Sequence, residues 1–267
     1  MNTTDLFTQF LMIIKRLRDP ETGCPWDLKQ THESLKPYVI EEAYEMVESI
    51  AQGPDALRDE LGDVLLQIGL HCQIAADAGH FTMDEVLNSI NTKLIERHPH
   101  VFSTSTADTP EKVTVQWESI KAKGRAPDES ILASIPNSLP ALIRAQKISK
   151  RAATKGFEWQ NLSGIRDKIL EEVSEFAEAA TMPDASAEWI MDEFGDILFC
   201  LVQLARRYDF DAEEALQRTN RRFIERFRRL ETQTDKPLDQ LTDEEWRTLW
   251  NEAKEFVKKQ ELGASQK

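Results

Sequence analysis

Glycine, cysteine and long apolar runs are all scarce in this chain of 267 residues. Its three cysteines (Cys24, Cys72 and Cys200) are widely spaced and form neither a zinc-binding pattern nor a disulfide framework. No window reaches the roughly 18 uninterrupted apolar residues of a membrane helix. The N-terminus lacks the basic start and the small-residue cleavage site of a signal peptide. We therefore expect a cytoplasmic protein that does not enter a membrane.

Positive charge is also in short supply. Lysine and arginine together number 33 against 47 acidic residues, which gives a formal net charge of −14. This balance argues against broad nucleic-acid binding, which normally needs a basic face. It does not exclude one small anionic ligand, because bound divalent cations can invert the local field. The wealth of Ala, Leu, Glu, Lys, Arg and Gln favours helix, and no run alternates with period two, so the sequence predicts an all-α fold.

Three blocks of sequence recur at an offset of about 130 residues and in the same order. Residues 40–47 match 170–177, residues 59–66 match 192–199, and residues 85–97 match 214–226. Three matched blocks in register indicate a duplication. We expect two helical domains, residues 1–125 and 126–267, with linker-like sequence at 103–110 and 123–128 and a helical pattern over 113–123.

Each copy contains amphipathic helices. Apolar residues at helical spacing predict one helix over about 39–50 and a second from about Leu57 to Ala76, separated by a break at 52–55. A matching break is expected at 182–184. A unit of about three such helices has apolar stripes too broad to bury alone, so pairing of two chains would complete four-helix cores. The sequence thus predicts a homodimer.

Repeated carboxylates carry the candidate chemistry. Acidic residues three apart share one side of a helix, so two adjacent antiparallel helices can bring four of them together. Four carboxylates this close repel one another unless cations lie between them, and Mg²⁺ suits oxygen ligands of this kind. The glycine before each aspartate, Gly62 or Gly195, suggests close helix packing or approach of a ligand. The bland alternative is a solvated acidic face. The residues are Glu42, Glu45, Glu60 and Asp63 in the first copy and Glu172, Glu175, Glu193 and Asp196 in the second.

The acidic motifs come with further recognisable sequence. E-E-x-x-E is followed by E-x-x-D, G-C-P-W-D lies upstream at 23–27, Gln30-Thr31-His32 follows it, and R-H-P-H-V-F occupies 97–102. Together they resemble the MazG family of nucleoside triphosphate pyrophosphohydrolases over essentially the whole chain. The resemblance implies an all-α dimer that holds Mg²⁺, with Mn²⁺ as a substitute, on its acidic residues. It also implies hydrolysis of NTPs or dNTPs to the monophosphate and pyrophosphate.

The same resemblance suggests roles for residues of the second copy, which we expect to be the principal hydrolytic unit. Lys168 precedes the acids there, whereas Tyr38 stands at that place in the first copy. Glu171 or Glu172 would align the attacking water, although which carboxylate acts as base stays open. Trp189 departs from the family, in which a phosphate-binding lysine is more usual at this place. The expected nucleotide-binding residues are Lys168, Glu171, Trp189, Asp192, Asn220, Arg222, Arg226 and Trp250.

Other interpretations remain open at this point. The arginines could form a solvated basic face, and Trp250 could be ordinary core packing of an amphipathic helix. The whole chain could be a helical interaction protein, or a relative that binds nucleotides without hydrolysing them. Release of pyrophosphate rather than single phosphate would distinguish the enzyme from both.

Overall fold

The structure, a computed structural model, describes residues 2–103, 108–110, 112–113, 116–117, 120 and 129–264, with side chains up to residue 260. The chain divides into two compact units, Met1–Arg125 and Ala126–Lys267. Most of the expected linkers at 103–110 and 123–128, and most of the expected helix over 113–123, lie outside the described residues. Throughout the described ranges the regular elements are helices and no strand occurs, which confirms the predicted all-α class.

Local signals in the sequence set the helix boundaries of the first unit. Asn2 and Thr82 form capping boxes at the starts of the first and fifth helices. Gly53, with φ of 115°, precedes Pro54 at the start of the fourth helix, three residues before the expected Leu57. The helices are α1 (Thr3–Leu17), α2 (Pro25–Lys29), α3 (Lys36–Ser49), α4 (Pro54–Asp77), α5 (Met83–Arg97) and α6 (Pro99–Phe102).

Helices α1, α3 and α5 pack against the long helix α4. The core between them contains Ile14, Leu35, Leu70 and Ile74, all nine-tenths or more buried. Gly69 permits the close approach of α1, because a Cβ added there would lie 2.7 Å from the ring of Phe10. Helix α4, which carries Glu60 and Asp63, is therefore held by packing in its second half.

The second unit repeats this plan. Side chains of Asn161, Ser186 and Asp211 cap three of its helices. A break at 182–184 separates the two helices that carry the acids, as predicted. The helices are α7 (Ala141–Ala153), α8 (Leu162–Thr181), α9 (Ala187–Arg207), α10 (Ala212–Glu231) and α11 (Asp243–Ala264), with a 3₁₀ turn at Leu238–Gln240 before α11.

Helix α9 is the centre of the second unit. It packs against α7, α8 and α10, and α10 packs against α11. Apolar side chains on α8 and α9 nevertheless face outwards, including Leu170 at 69% exposure and Met191 at 65%. Within the described residues, no helix is long and apolar enough to cross a membrane.

Candidate metal centre and nucleotide site

Three carboxylates of the second unit come together from two neighbouring helices. Glu172 and Glu175 lie one turn apart on α8, and Glu193 lies on α9. One oxygen of each side chain lies within 4.8 Å of the others. Glu172 is 5% exposed, Glu193 is half-buried and Glu175 is exposed, so the group opens to solvent on one side. We call these three residues the second-copy cluster.

Asp196 lies outside that set of mutually close oxygens but within its electrostatic reach. Burial, and then the negative charges of Glu172 and Glu193, raise the pKa of Asp196. Glu175 is exposed, yet partial loss of hydration and then the charge of Glu172 raise its pKa. Both shifts thus come first from lost hydration and then from the repulsion of neighbouring carboxylates, which Lys168 opposes only in part.

Lys168 supplies part of the missing positive charge. Its ammonium group donates to Glu171 at 2.7 Å and pairs with Glu172 at 2.8 Å. These hydrogen bonds, first that to Glu171, raise the pKa of Lys168 well above its usual range. The lysine lies three and four residues before its partners, so the local helix geometry brings them together.

Trp189 reaches the second-copy cluster from the first turn of α9. Its indole N–H donates to a carboxylate oxygen of Glu193 at 2.7 Å, and the residue as a whole is 39% exposed. The contact was not anticipated from the sequence. The four-residue spacing of Trp189 and Glu193 could have indicated it, because residues four apart lie on the same side of a helix.

The first unit holds a matching group on α3 and α4. Oxygens of Glu42, Glu60 and Asp63 lie within 4.8 Å of one another, and we call these residues the first-copy cluster. Glu45 lies outside it, although its charge is among those that raise the pKa of Glu42 and of Glu60. Burial is the larger cause for both groups.

The surroundings of the first-copy cluster differ from those of the second. A hydrogen bond from Gln67, itself 5% exposed, partly opposes the rise in the pKa of Glu42. Tyr38, in the place of Lys168, forms a T-shaped pair with the Trp26 ring at 5.8 Å between centroids. An aromatic pair therefore stands where the second copy has an ammonium group.

Glycine has no close neighbour beside either group of acids. A Cβ added at Gly62 or Gly195 would meet no heavy atom within 4 Å. Close helix packing within the unit, one of the two reasons we expected for these glycines, is therefore wrong. The approach of a ligand, the other expected reason, stays a prediction.

The other predicted nucleotide residues lie on α9, α10 and α11. Arg222 donates to Thr219 at 3.1 Å, and Arg226 is half-buried. Trp250 packs against the ring of Phe223 at 5.1 Å between centroids, in agreement with the packing interpretation of this residue. Asn220 and Asp192 are exposed. The role of these residues in nucleotide binding stays a prediction.

A set of long-range contacts ties the loop before α8 to α9. Glu158 pairs with Arg206 at 2.6 Å, and the indole of Trp159 donates to Gln203 at 2.6 Å. A hydrogen bond from Arg206 is the largest cause that lowers the pKa of Glu158 to about 2. These contacts join residues 44 to 48 positions apart and so had no signal in local spacing.

The arrangement suits a hard divalent cation. Carboxylate oxygens on two rigid helices are the ligand type that Mg²⁺, Ca²⁺ and Mn²⁺ prefer, and the clustered negative charge is relieved when such an ion binds. The open side of the second-copy cluster leaves room for a ligand that brings further oxygen atoms.

Comparison with known proteins agrees with this geometry. The MazG nucleotide pyrophosphohydrolase domain matches residues 30–102 and again 160–230. The chain is 42% identical to the nucleoside triphosphate pyrophosphohydrolase/pyrophosphatase MazG of Thermotoga maritima, over 93% of this chain and 96% of that protein. It is 44% identical to the nucleoside triphosphate pyrophosphohydrolase of Escherichia coli (strain K12), over 86% and 88% respectively. With two matched domains that each carry an acidic cluster, the chain belongs to the MazG nucleotide pyrophosphohydrolase family.

Proposed function

We propose that this protein hydrolyses nucleoside triphosphates, NTPs or dNTPs, to the nucleoside monophosphate and pyrophosphate, with Mg²⁺ as its metal and Mn²⁺ as a possible substitute. The observation that carries the proposal is the second-copy cluster: three carboxylates on two helices, with oxygens within 4.8 Å of one another, in a chain of this family. The names of the relatives from Thermotoga maritima and Escherichia coli support the same reaction.

The second unit, residues 126–267, is proposed as the principal hydrolytic domain. A triphosphate brings several negative charges, and Lys168 supplies a cation beside the acids of this unit. The first unit, residues 1–125, has Tyr38 at that place. Charge-assisted hydrogen bonds are roughly twice as strong as neutral ones, so the lysine favours phosphate binding in the second copy.

Each predicted site residue of the second unit has a proposed role. Glu172, Glu175, Glu193 and Asp196 would hold the metal, which lowers the pKa of bound water and neutralises phosphate oxygens when it is present. Glu171 or Glu172 would orient the water that attacks and accept its proton. Lys168, Arg222 and Arg226 would neutralise the phosphates, and Trp250 would stack on the base. Asn220, Asp192 and Trp189 complete the proposed nucleotide contacts.

A homodimer is the proposed assembly. Apolar side chains on α8 and α9 are left without cover in the single chain: Val173 is 44% exposed, Phe194 is 50% and Leu201 is 44%. Tyr44 and Leu61 are 51% and 49% exposed on α3 and α4 of the first unit. Burial of such faces against a second copy is a large favourable term, at about 25 cal/mol per Å² of apolar surface. The cytoplasmic location and the absence of nucleic-acid binding stay predictions.

Product analysis with three variants tests the proposal. The purified chain is incubated with a panel of NTPs and dNTPs, with and without Mg²⁺, and products are separated by ion-exchange chromatography. We expect monophosphate and pyrophosphate only with a divalent metal. Glu172→Gln and Asp196→Asn should abolish turnover while circular dichroism stays unchanged.

Glu42→Gln is the matched control in the first copy and should retain turnover. Loss of activity in Glu42→Gln with an active Glu172→Gln would show that the first unit is the hydrolytic one. Nucleotide binding without any product would instead identify a binding protein, and this would overturn the proposal.

A further inference from the structure

We propose that Trp189 is a positioning residue for the metal site, because its indole N–H holds Glu193 in the orientation that a metal ligand needs. The inference rests on the proposed function, since it takes Glu193 as a ligand of the ion. It goes further by assigning to Trp189 a task other than contact with the nucleotide.

The backbone and the side chain of Trp189 each donate one hydrogen bond. Its backbone N–H donates to the hydroxyl of Ser186, the N-cap of α9, at 3.1 Å. Its indole N–H reaches one turn along the helix to Glu193 at 2.7 Å. A tryptophan has only two side-chain torsions, so a ring on a capped helix backbone that also makes this hydrogen bond is a less mobile donor, whereas an unsupported glutamate samples many rotamers.

The hydrogen bond leaves the carboxylate available to a cation. A carboxylate has two oxygens and about four lone-pair sites, of which one indole N–H occupies a single site. The remaining sites can face Glu172 and Glu175, whose oxygens lie within 4.8 Å. Hydrogen bonds of this kind to metal ligands fix their orientation, and their loss typically weakens metal binding about 10- to 100-fold.

The two copies of the repeat differ at this position. In the matched blocks 59–66 and 192–199, Glu60 corresponds to Glu193, and Ala56 therefore corresponds to Trp189. Alanine has no side-chain donor, so position 56 cannot support Glu60 in this way. A neutral indole also cannot replace the charge of the phosphate-binding lysine that the family resemblance led us to expect here. The indole of Trp189 thus supports a carboxylate of this chain, in addition to the nucleotide contact proposed above.

Metal binding to the full-length chain tests the inference. The titrations use Mn²⁺, with free ion measured by electron paramagnetic resonance, in a Glu42→Gln background that removes one carboxylate of the first-copy cluster. Trp189→Phe keeps an aromatic ring and removes the N–H, and we expect it to weaken Mn²⁺ binding about tenfold or more. Trp246→Phe, at a ring that packs on Phe227, is the matched control and should leave the affinity unchanged.

A second measurement uses the protein without change at Trp189. In protein with ¹⁵N-labelled tryptophan, the indole resonance that disappears in Trp189→Phe is assigned to this residue. It should shift when Mg²⁺ is added, because the ion withdraws electron density from the Glu193 carboxylate that accepts the hydrogen bond. Misfolding of a variant cannot produce that shift.

The possible outcomes separate this inference from the proposed function. Unchanged Mn²⁺ affinity in Trp189→Phe, with weakened binding in Glu193→Gln, would overturn the positioning role alone. Unchanged affinity in both variants would remove Glu193 from the metal site, and with it the proposed centre. An indole resonance that does not respond to Mg²⁺ would also overturn the positioning role.

Discussion

Replacement of Glu193 by glutamine should stabilise the metal-free protein and weaken its response to Mg²⁺. Glutamine has nearly the same shape and keeps a carbonyl oxygen that can accept the hydrogen bond from Trp189. It removes one negative charge from the second-copy cluster. The charge of Glu193 also contributes to the raised pKa values of Glu175 and Asp196, so the substitution relieves repulsion at several groups.

The size of the effect follows from the distance between Glu172 and Glu193. At the upper limit of 4.8 Å, two unit charges repel by about 0.9 kcal/mol in bulk water and about 3.5 kcal/mol at an effective dielectric constant of 20. Glu172 is buried and Glu193 is half-buried, so we take about 2 kcal/mol. For a chain of this size, that corresponds to a rise of roughly 4–8 °C in the melting temperature.

Mg²⁺ should act on the two proteins unequally. An ion at a hundred times its dissociation constant stabilises the folded state by about 2.7 kcal/mol. If the loss of one ligand weakens binding tenfold, the same concentration contributes only about 1.4 kcal/mol in the variant. The Mg²⁺-induced rise in melting temperature should therefore be about half that of the parent protein.

Differential scanning calorimetry in EDTA and in Mg²⁺ measures both effects. Glu255→Gln, an exposed residue of α11, changes the net charge equally and serves as control. A melting temperature of Glu193→Gln in EDTA that equals or falls below that of the parent would refute the repulsion argument. A Mg²⁺ response as large as that of the parent would refute the assignment of Glu193 as a ligand.

Three further predictions concern pH, the loop before α8 and the first unit. Because the pKa values of Glu175 and Asp196 are raised, Mn²⁺ affinity should begin to fall at a pH above the ordinary carboxyl range. The metal-free protein should gain stability as pH falls through those raised pKa values. Mn²⁺ titrations between pH 7 and 4 measure the first effect, and an affinity that held until below pH 4.5, the ordinary value for glutamate, would contradict it. Glu158→Gln should lower the free energy of unfolding by about 1–3 kcal/mol at pH 7 and leave Mn²⁺ affinity unchanged. The reason is that the ion pair of Glu158 with Arg206 stabilises the fold above the ordinary pKa of glutamate and is lost only as pH falls towards about 2. Urea unfolding measures this effect, and an unchanged midpoint would exclude a stabilising pair. Gly69→Ala should lower the free energy of unfolding by about 1–3 kcal/mol, because the added Cβ would collide with the ring of Phe10. Gly62→Ala lies in open space and should stabilise helix α4 by up to about 1 kcal/mol. Equal unfolding midpoints for the two variants would contradict the packing of α1 on α4.

Much of the fold could be predicted because its signals are local. The apolar periodicity placed helices near residues 39–50 and 57–76, and the structure has them at Lys36–Ser49 and Pro54–Asp77. The errors lie at the ends, where proline and capping residues rather than apolar spacing decide the first turn. The repeat predicted the plan of the second unit from that of the first.

The candidate site likewise has one part that local spacing predicts and another part that it does not. Three-residue spacing alone placed Glu172 beside Glu175 and Glu193 beside Asp196, because such pairs share a face in any α-helix. It did not indicate that Asp196 and Glu45 lie outside their clusters of mutually close oxygens. That distinction depends on how far each helix is rotated about its axis when it packs on its neighbour.

The sequence by itself thus determined the helical class, the duplication and the acidic pairs, since each depends on residues within a few turns of one another. Tertiary structure decided which carboxylates converge and how Glu158 and Trp159 are tied to a helix more than 40 residues away. The physical reason is that contacts between helices depend on their relative rotation and on side-chain rotamers. Both are set by packing of the whole unit, so no short stretch of sequence specifies them.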